Sequence, residues 1–243
     1  AHIKHSGQGI ARNKGLSLST GNYILFVDSD DSIHKNMLKE MIESMIVNQA
    51  QISICNVKLF LDDKNYVIQK SLNWGEENKK NYLEYGIHLC SLCNKIFRRE
   101  VLENVNFSVI KYEDMEIVPV IISEADNISF VNKHFYEYRL RPDSTTGCNS
   151  KFPLEDYIQA VTNSINTVNK KYYTEFVCWQ ARSFIDLVSK AIESDRELLL
   201  NWIKNNNSIF NISDINQNTY LKKILESDFE KYFESKTYKK LLT

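Results

Sequence analysis

At 243 residues the chain is long enough for one large domain, or for a domain with a smaller companion. Its 43% hydrophobic and 25% charged residues exclude a disordered chain, and 30 Lys plus Arg against 31 Asp plus Glu exclude a broad basic surface for nucleic acid. No apolar run approaches the roughly 18–20 residues that span a bilayer, and no secretory leader pattern is visible.

The chain begins at Ala1, already inside a helix-like segment, which predicts an N-terminal portion upstream of it. Residues 9–19 read as a helix, and Gly21 is a plausible left-handed stop. Residues 23–27, mostly apolar, read as a short buried strand. Ser32 is a candidate N-cap for the next helix, in which Met37, Leu38, Met41, Ile42, Met45 and Ile46 make one apolar face. Helix, strand, turn and helix in this order have α/β character.

Residues 52–61 are β-rich, 62–65 form a turn, and 66–69 return as a partner strand, so the sheet is expected to be mixed. Residues 80–90 and 98–104 read as helical, and a short helix follows Lys111-Tyr112-Glu113-Asp114. Residues 127–131 and 135–140 read as two strands joined tightly. The polar loop 141–152 is the best candidate boundary, giving a domain over 1–150 and a helical C-terminal subdomain over 151–243. No glycine follows Gly147, and residues 154–170, 173–194 and 196–205 have helical periodicity.

The five cysteines are Cys55, Cys90, Cys93, Cys148 and Cys178. An odd number without framework spacing predicts reduced thiols and a cytoplasmic protein. Cys90-x-x-Cys93 lacks a second pair at zinc-site spacing, so core thiols are expected rather than a metal or redox centre.

Three carboxylates, Asp28, Asp30 and Asp31, follow the strand over 23–27. Strand ends are where α/β domains bind ligands, and clustered carboxylates there need a compensating cation or a hydrogen-bond network. Two readings stay open on the residues alone. One is a divalent-metal site for a nucleotide diphosphate; the other is a turn in which Asp31 or Ser32 caps the next helix.

Four blocks in order carry a resemblance. They are Gly9-Ile10-Ala11-Arg12-Asn13-x-Gly15-Leu16, the run from Gly21 through Tyr23 to Asp31, the pair Asn94-Lys95 running to Arg99 with Tyr112-Glu113-Asp114 beyond, and Tyr136-x-Tyr138-Arg139-x-Arg141-x-x-Ser144. Together they cover residues 7 to about 147 and resemble the bacterial family 2 glycosyltransferases of GT-A fold. The resemblance implies a Rossmann-like mixed sheet flanked by helices. The family's first strand, with its P-x-Y-N-like signature, and its base-binding acidic turn are not in this sequence. That leaves base recognition, and the activity of this stretch taken alone, open.

The resemblance also implies roles. Asp30 would be the principal ligand of Mn²⁺ or Mg²⁺, Asp28 would face the ribose or the metal, and Asp31 would assist. Arg12 would approach the nucleotide, or alternatively ion-pair the helix to the aspartates. Asp114 would be the general base, against the plainer reading of Glu113-Asp114 as an acidic helix start. His134, read as lying in a loop between late strands, is a candidate third ligand or a surface residue. Arg139 and Arg141 would bind the diphosphate or be ordinary strand-end charge. Trp74 would stack on a sugar or fill the core.

The function that the resemblance implies is a metal-dependent, inverting hexosyltransferase-type enzyme. It would move a sugar from a nucleotide donor, a UDP-sugar above others, to a glycan or lipid-linked acceptor of a bacterial surface polysaccharide. The alternatives are a non-catalytic nucleotide-sugar or glycan-binding module and a nucleotidyltransferase. Residues 220–242, rich in Lys, read as a solvated helix face or as a peripheral contact with an anionic inner membrane.

Overall fold

The computed structural model describes residues 6–60, 67–70, 78–86, 91–141, 153–190 and 193–206. Its elements in chain order are α1 (Gln8–Leu18), β1 (Tyr23–Leu25), β2 (Ser32–Ile33), α2 (Met37–Val47), β3 (Ile52–Phe60), β4 (Val67–Lys70) and α3 (Lys79–Asn81), which runs into a π turn over Tyr82–Gly86. There follow β5 (Lys95–Arg98), a 3-10 turn over Arg99–Leu102, α4 (Glu113–Glu124), β6 (Ile128–Arg139), α5 (Leu154–Thr167), α6 (Tyr173–Lys190) and α7 (Glu193–Asn205).

The described strands form a six-stranded mixed sheet in the order β1-β5-β3-β6-β2, with β4 added to the second half of β3. The β3–β6 pair is parallel and the other pairs are antiparallel. Parallel pairing needs a crossover, and α4 supplies it, as an α/β chain requires. β3 reads Ile-Ser-Ile-Cys-Asn-Val and is buried through its first six residues, as a strand covered on both faces should be.

Met37, Met41 and Met45, one turn apart on α2, are fully buried against Cys55, Val57, Phe135 and Tyr136. Each such side chain contributes about 1.5–3 kcal/mol by leaving water. The stripe is narrower than the predicted face: Leu38 and Ile46 are exposed. Two polar side chains inside the core, Asn94 and Lys95, are hydrogen-bonded. Asn94 donates to the Cys55 carbonyl at 2.7 Å, and the buried Lys95 ammonium donates to Ser91 O at 2.6 Å and Asn94 Oδ1 at 2.7 Å. The Asn94-Lys95 pair is therefore a buried polar bracket, consistent with the rule that buried charge must be hydrogen-bonded.

Helix α1 is clamped to the 107–108 segment. Asn13 donates to Phe107 O and accepts from Phe107 N, both at 2.8 Å. Gly9 lies so close that a Cβ would overlap the Ser108 carbonyl oxygen. The first glycine and the asparagine of the Gly9–Leu16 block thus fix the helix in place.

Three expectations are corrected. Ser32 does not cap a helix: it starts β2, pairs with Glu137, and its hydroxyl donates to Glu137 Oε2 at 2.8 Å. The two late strands are one strand, β6, with irregularities opposite Cys55–Val57 that absorb the polar Asn132-Lys133-His134 interruption. The helices expected over 80–90 and 98–104 shrink, within the described residues, to short turns.

The chain divides into two compact units, Ala1–Tyr172 and Tyr173–Thr243. The boundary expected near residue 150 falls on the undescribed stretch 142–152, and α5 belongs to the first unit, where it packs on α4. Lys111 N–H donates to Asp156 at 3.1 Å and Asn163 donates to Glu116 at 2.7 Å across that contact. The second unit holds α6 and α7, packed on each other. Trp74, Cys90, Cys148 and residues 220–242 lie outside the described residues; Cys55, Cys93 and Cys178 are buried and form no disulfide.

Candidate active site

Strand β1 ends at Leu25, and the chain turns through Asp28–Asp31 before β2. The turn is closed by Asp31 N–H donating to Asp28 O at 3.2 Å. Each of the three aspartates meets a different partner. Asp28 Oδ1 accepts from Arg12 at 3.2 Å. Asp30 pairs with Arg141 at 2.6 Å. Asp31 accepts from the Tyr136 hydroxyl at 2.6 Å and from Arg139 N–H at 2.8 Å. Burial raises the Asp31 carboxyl above its ordinary value, the two hydrogen bonds pull it down, and the charges of Asp30 and Asp28 push it up again.

Helix α4 brings the second pair of carboxylates. Its N-cap, Tyr112, stands in the left-handed region at φ 66°, ψ 33°, unusual for a bulky residue, and its ring packs edge-on against Tyr157 of α5. This sharp entry directs Glu113 inward, where it is buried and pairs with Arg12. Arg12 therefore joins three elements: α1, the turn after β1, and the first turn of α4.

Asp114 is half-buried, and its Oδ1 accepts its neighbour Met115 N–H at 2.8 Å. Burial pushes its carboxyl above the ordinary carboxylate value. Arg12 and the Met115 N–H pull the other way, the Asp28 charge raises it further, and Lys95 lowers it. A carboxylate shifted toward neutrality is what a general base working near neutral pH needs.

The structure thus brings together Arg12, Asp28, Asp30, Asp31, Asp114, the Arg139 backbone and Arg141. It does not bring in His134 by the route expected. His134 lies within β6 opposite Asn56, not in a loop, and burial followed by the Lys58 charge lowers its pKa. Two residues that sequence reasoning missed are Tyr136, the anchor of Asp31, and Glu113, the buried partner of Arg12. The only signal for Tyr136 was its place in the Tyr136-x-Tyr138-Arg139 block; Glu113 was visible merely as an acidic helix start.

The donor set fits a hard divalent cation. Asp28 and Asp30 offer carboxylate oxygens, and their side chains keep 35% and 27% exposure, so they can be reached from solvent. Among the described residues no three His, Cys, Asp or Glu side chains gather into a ready-made cage. Two carboxylates that share a cation with substrate phosphates suffice for Mg²⁺ chemistry.

The model of glycosyl transferase family 2 matches residues 1–105, which contain α1, the Asp28–Asp31 turn and the Asn94-Lys95 bracket. Over that stretch the chain is similar to glycosyl transferase family 2. The cholesterol galactosyltransferase of Borreliella burgdorferi is 27% identical over 200 residues, covering 71% of this chain and 56% of that protein. Glycosyltransferase GlyA of Streptococcus pneumoniae is 26% identical over 176 residues, covering 67% of this chain and 25% of that protein. Among solved structures, S. aureus TarS 1-349 in complex with UDP-GlcNAc superposes with a TM-score of 0.64 at 19% identity, covering 82% of this chain and 61% of that one. The fold of the chain is GT-A-like, as the sequence predicted. The chain spans between a quarter and about three fifths of the length of these relatives.

Proposed function

We propose that this chain carries the catalytic half of a glycosyltransferase that moves a sugar from a nucleotide-diphosphate donor to a hydroxyl of a glycan acceptor. The observation that carries the reading is Arg12, which links the donor-side carboxylate Asp28 to the helix turn that presents Asp114. Two carboxylates with different environments, one solvent-reachable and one raised by burial, suit two separate tasks.

The reaction is a displacement at the anomeric carbon. Asp114 Oδ2 takes the proton of the acceptor hydroxyl while Oδ1 keeps the Met115 N–H, so the side chain holds one orientation through the transfer. The acceptor oxygen bonds to the anomeric carbon, the bond from that carbon to the diphosphate breaks, and the electron pair leaves with the diphosphate. Mn²⁺ or Mg²⁺ held by Asp30 and Asp28 would neutralise charge on the departing diphosphate. Arg141, held beside Asp30, is positioned to pair with the same anion.

The complex of TarS with UDP-GlcNAc and the family match support a UDP-sugar donor. The name of another relative, the minor teichoic acid biosynthesis protein GgaB of Bacillus subtilis, supports a surface-glycan acceptor. We read the protein as a cytoplasmic enzyme that meets lipid-linked acceptor at the inner membrane. No helix among the described residues is long and apolar enough to cross a membrane. The presence of Asp28, Asp30 and Asp114 in one site favours an enzyme over a binding module.

Transfer and hydrolysis of a panel of UDP-sugars, with and without Mn²⁺, test the reading on the full-length protein. Metal-dependent turnover that is lost in Asp114→Asn is expected. Metal-dependent UDP binding without turnover would favour the binding module, and neither binding nor turnover would overturn the reading.

A further inference from the structure

Strand β1 stops three residues short of Asp28, so its ladder does not hold the acidic turn. β6 holds it instead. Tyr136 is buried, with 1% exposure, and its hydroxyl donates to Asp31 Oδ2 at 2.6 Å while accepting Asp28 N–H at 3.3 Å. Asp31 Oδ1 accepts Arg139 N–H at 2.8 Å. The first and last residues of the turn are therefore tied to one phenol oxygen and one strand. β2 continues the attachment, with Ile33 opposite Tyr136 and Ser32 bonded to Glu137.

We propose that Tyr136 and Asp31 are a positioning pair, which fixes the turn so that Asp28 and Asp30 face the donor, and that Asp31 is a strut rather than a metal ligand. This rests on the donor-site reading of Asp28 and Asp30. Both oxygens of Asp31 already accept from donors that the twelve-residue strand β6 fixes in place. A buried phenol hydroxyl needs a partner, and here the partner is charged, which makes the bond one of the stronger kinds. The carboxylates of Asp28 and Asp30 meet arginine side chains instead of donors on β6, and they stay solvent-reachable.

The test uses Tyr136→Phe, Asp31→Asn and the double variant of the whole chain. Hydrogen exchange at the Asp28 amide and Mn²⁺ binding with UDP, followed by electron paramagnetic resonance, are the readouts. Tyr136→Phe removes one oxygen and is expected to speed Asp28 exchange and weaken Mn²⁺–UDP binding, each about tenfold, the scale of one hydrogen bond to a charged group. Asp31→Asn should match it, and the double variant should be no worse than the stronger single one. In turnover the donor KM should rise while kcat changes less. The proposal is overturned if Asp31→Asn abolishes Mn²⁺ binding while Tyr136→Phe binds as wild type, or if Asp28 exchange is unchanged in Tyr136→Phe. Should Tyr136→Phe fail to fold, Asp31→Asn alone carries the exchange measurement, with the same two outcomes. If the wild type takes up neither Mn²⁺ nor UDP, the donor-site reading falls, and amide exchange still judges the pair.

Discussion

Arg12 of α1 and Glu113 of α4 form a buried ion pair in which the carboxylate is 3% exposed and the guanidinium 11% exposed, and the same guanidinium also holds Asp28. A buried pair costs desolvation on both sides, so it is weak ground for stability in itself. Its consequence is coupling: whatever binds at Asp28 also bears, through Arg12, on the helix turn that presents Asp114.

Replacing Arg12 by Ala strands Glu113 without its partner. We expect a loss of about 3–5 kcal/mol, the usual cost of breaking a buried pair from one side. Arg12→Ala with Glu113→Gln should recover most of that stability and none of the donor affinity, since Asp28 still lacks its partner. Arg12→Lys should rescue little, because one ammonium cannot reproduce a fork shared by two carboxylates. Urea midpoints and UDP titrations read the two effects separately.

Asp114→Asn should lower turnover by about 10²–10⁴-fold, the range attributed to a lost general base. It should leave the melting temperature at neutral pH unchanged or higher, because it removes a carboxylate whose ionised form is disfavoured by burial. A variant both inactive and strongly destabilised would point to a structural role instead.

The pH dependence follows from the same raised carboxyl. Asp114 must be ionised to accept a proton, so kcat/KM should rise with pH through a value above the ordinary 3.8. For stability the sign is opposite. The folded state holds this proton where the unfolded chain has lost it, so the stabilising contribution is complete below the unfolded pKa and is lost as pH rises through the folded one. The stability advantage of Asp114→Asn should therefore be seen above that window and vanish below it, in melts taken across the acid range.

Two glycines of α1 should respond in opposite directions. Gly9→Ala drives a Cβ into the Ser108 backbone and should cost at least the roughly 1–3 kcal/mol of overpacking. At Gly15 an added Cβ meets no heavy atom within 4 Å, so Gly15→Ala should stabilise the helix by about 0.5–1 kcal/mol. Thermal melts compare them. Gly15 lines a cavity of about 490 Å³ between α1 and β1 that also reaches Arg12 and Asp28, so a bulkier Gly15→Leu should cut UDP affinity with the melt preserved.

The chain's own order of residues determined the α/β class, the hairpin of β3 and β4, helix α4 and the acidic turn after β1, because periodicity and turn chemistry act over neighbours. It did not determine β6 as one strand: the Asn132-Lys133-His134 interruption reads as a turn locally, and pairing with β3 carries the strand through it. Nor did it determine Ser32, whose preference for a cap is overridden when its hydroxyl meets Glu137 on β6. The division of labour among Asp28, Asp30 and Asp31 was equally illegible, since three aspartates in four positions look alike in sequence. Only the tertiary structure separated them, by setting Arg12 beside the first, Arg141 beside the second and the Tyr136 hydroxyl beside the third. Those partners lie 16 to 111 positions away along the chain, and what a carboxylate can do is governed by the charges and donors the fold places against it.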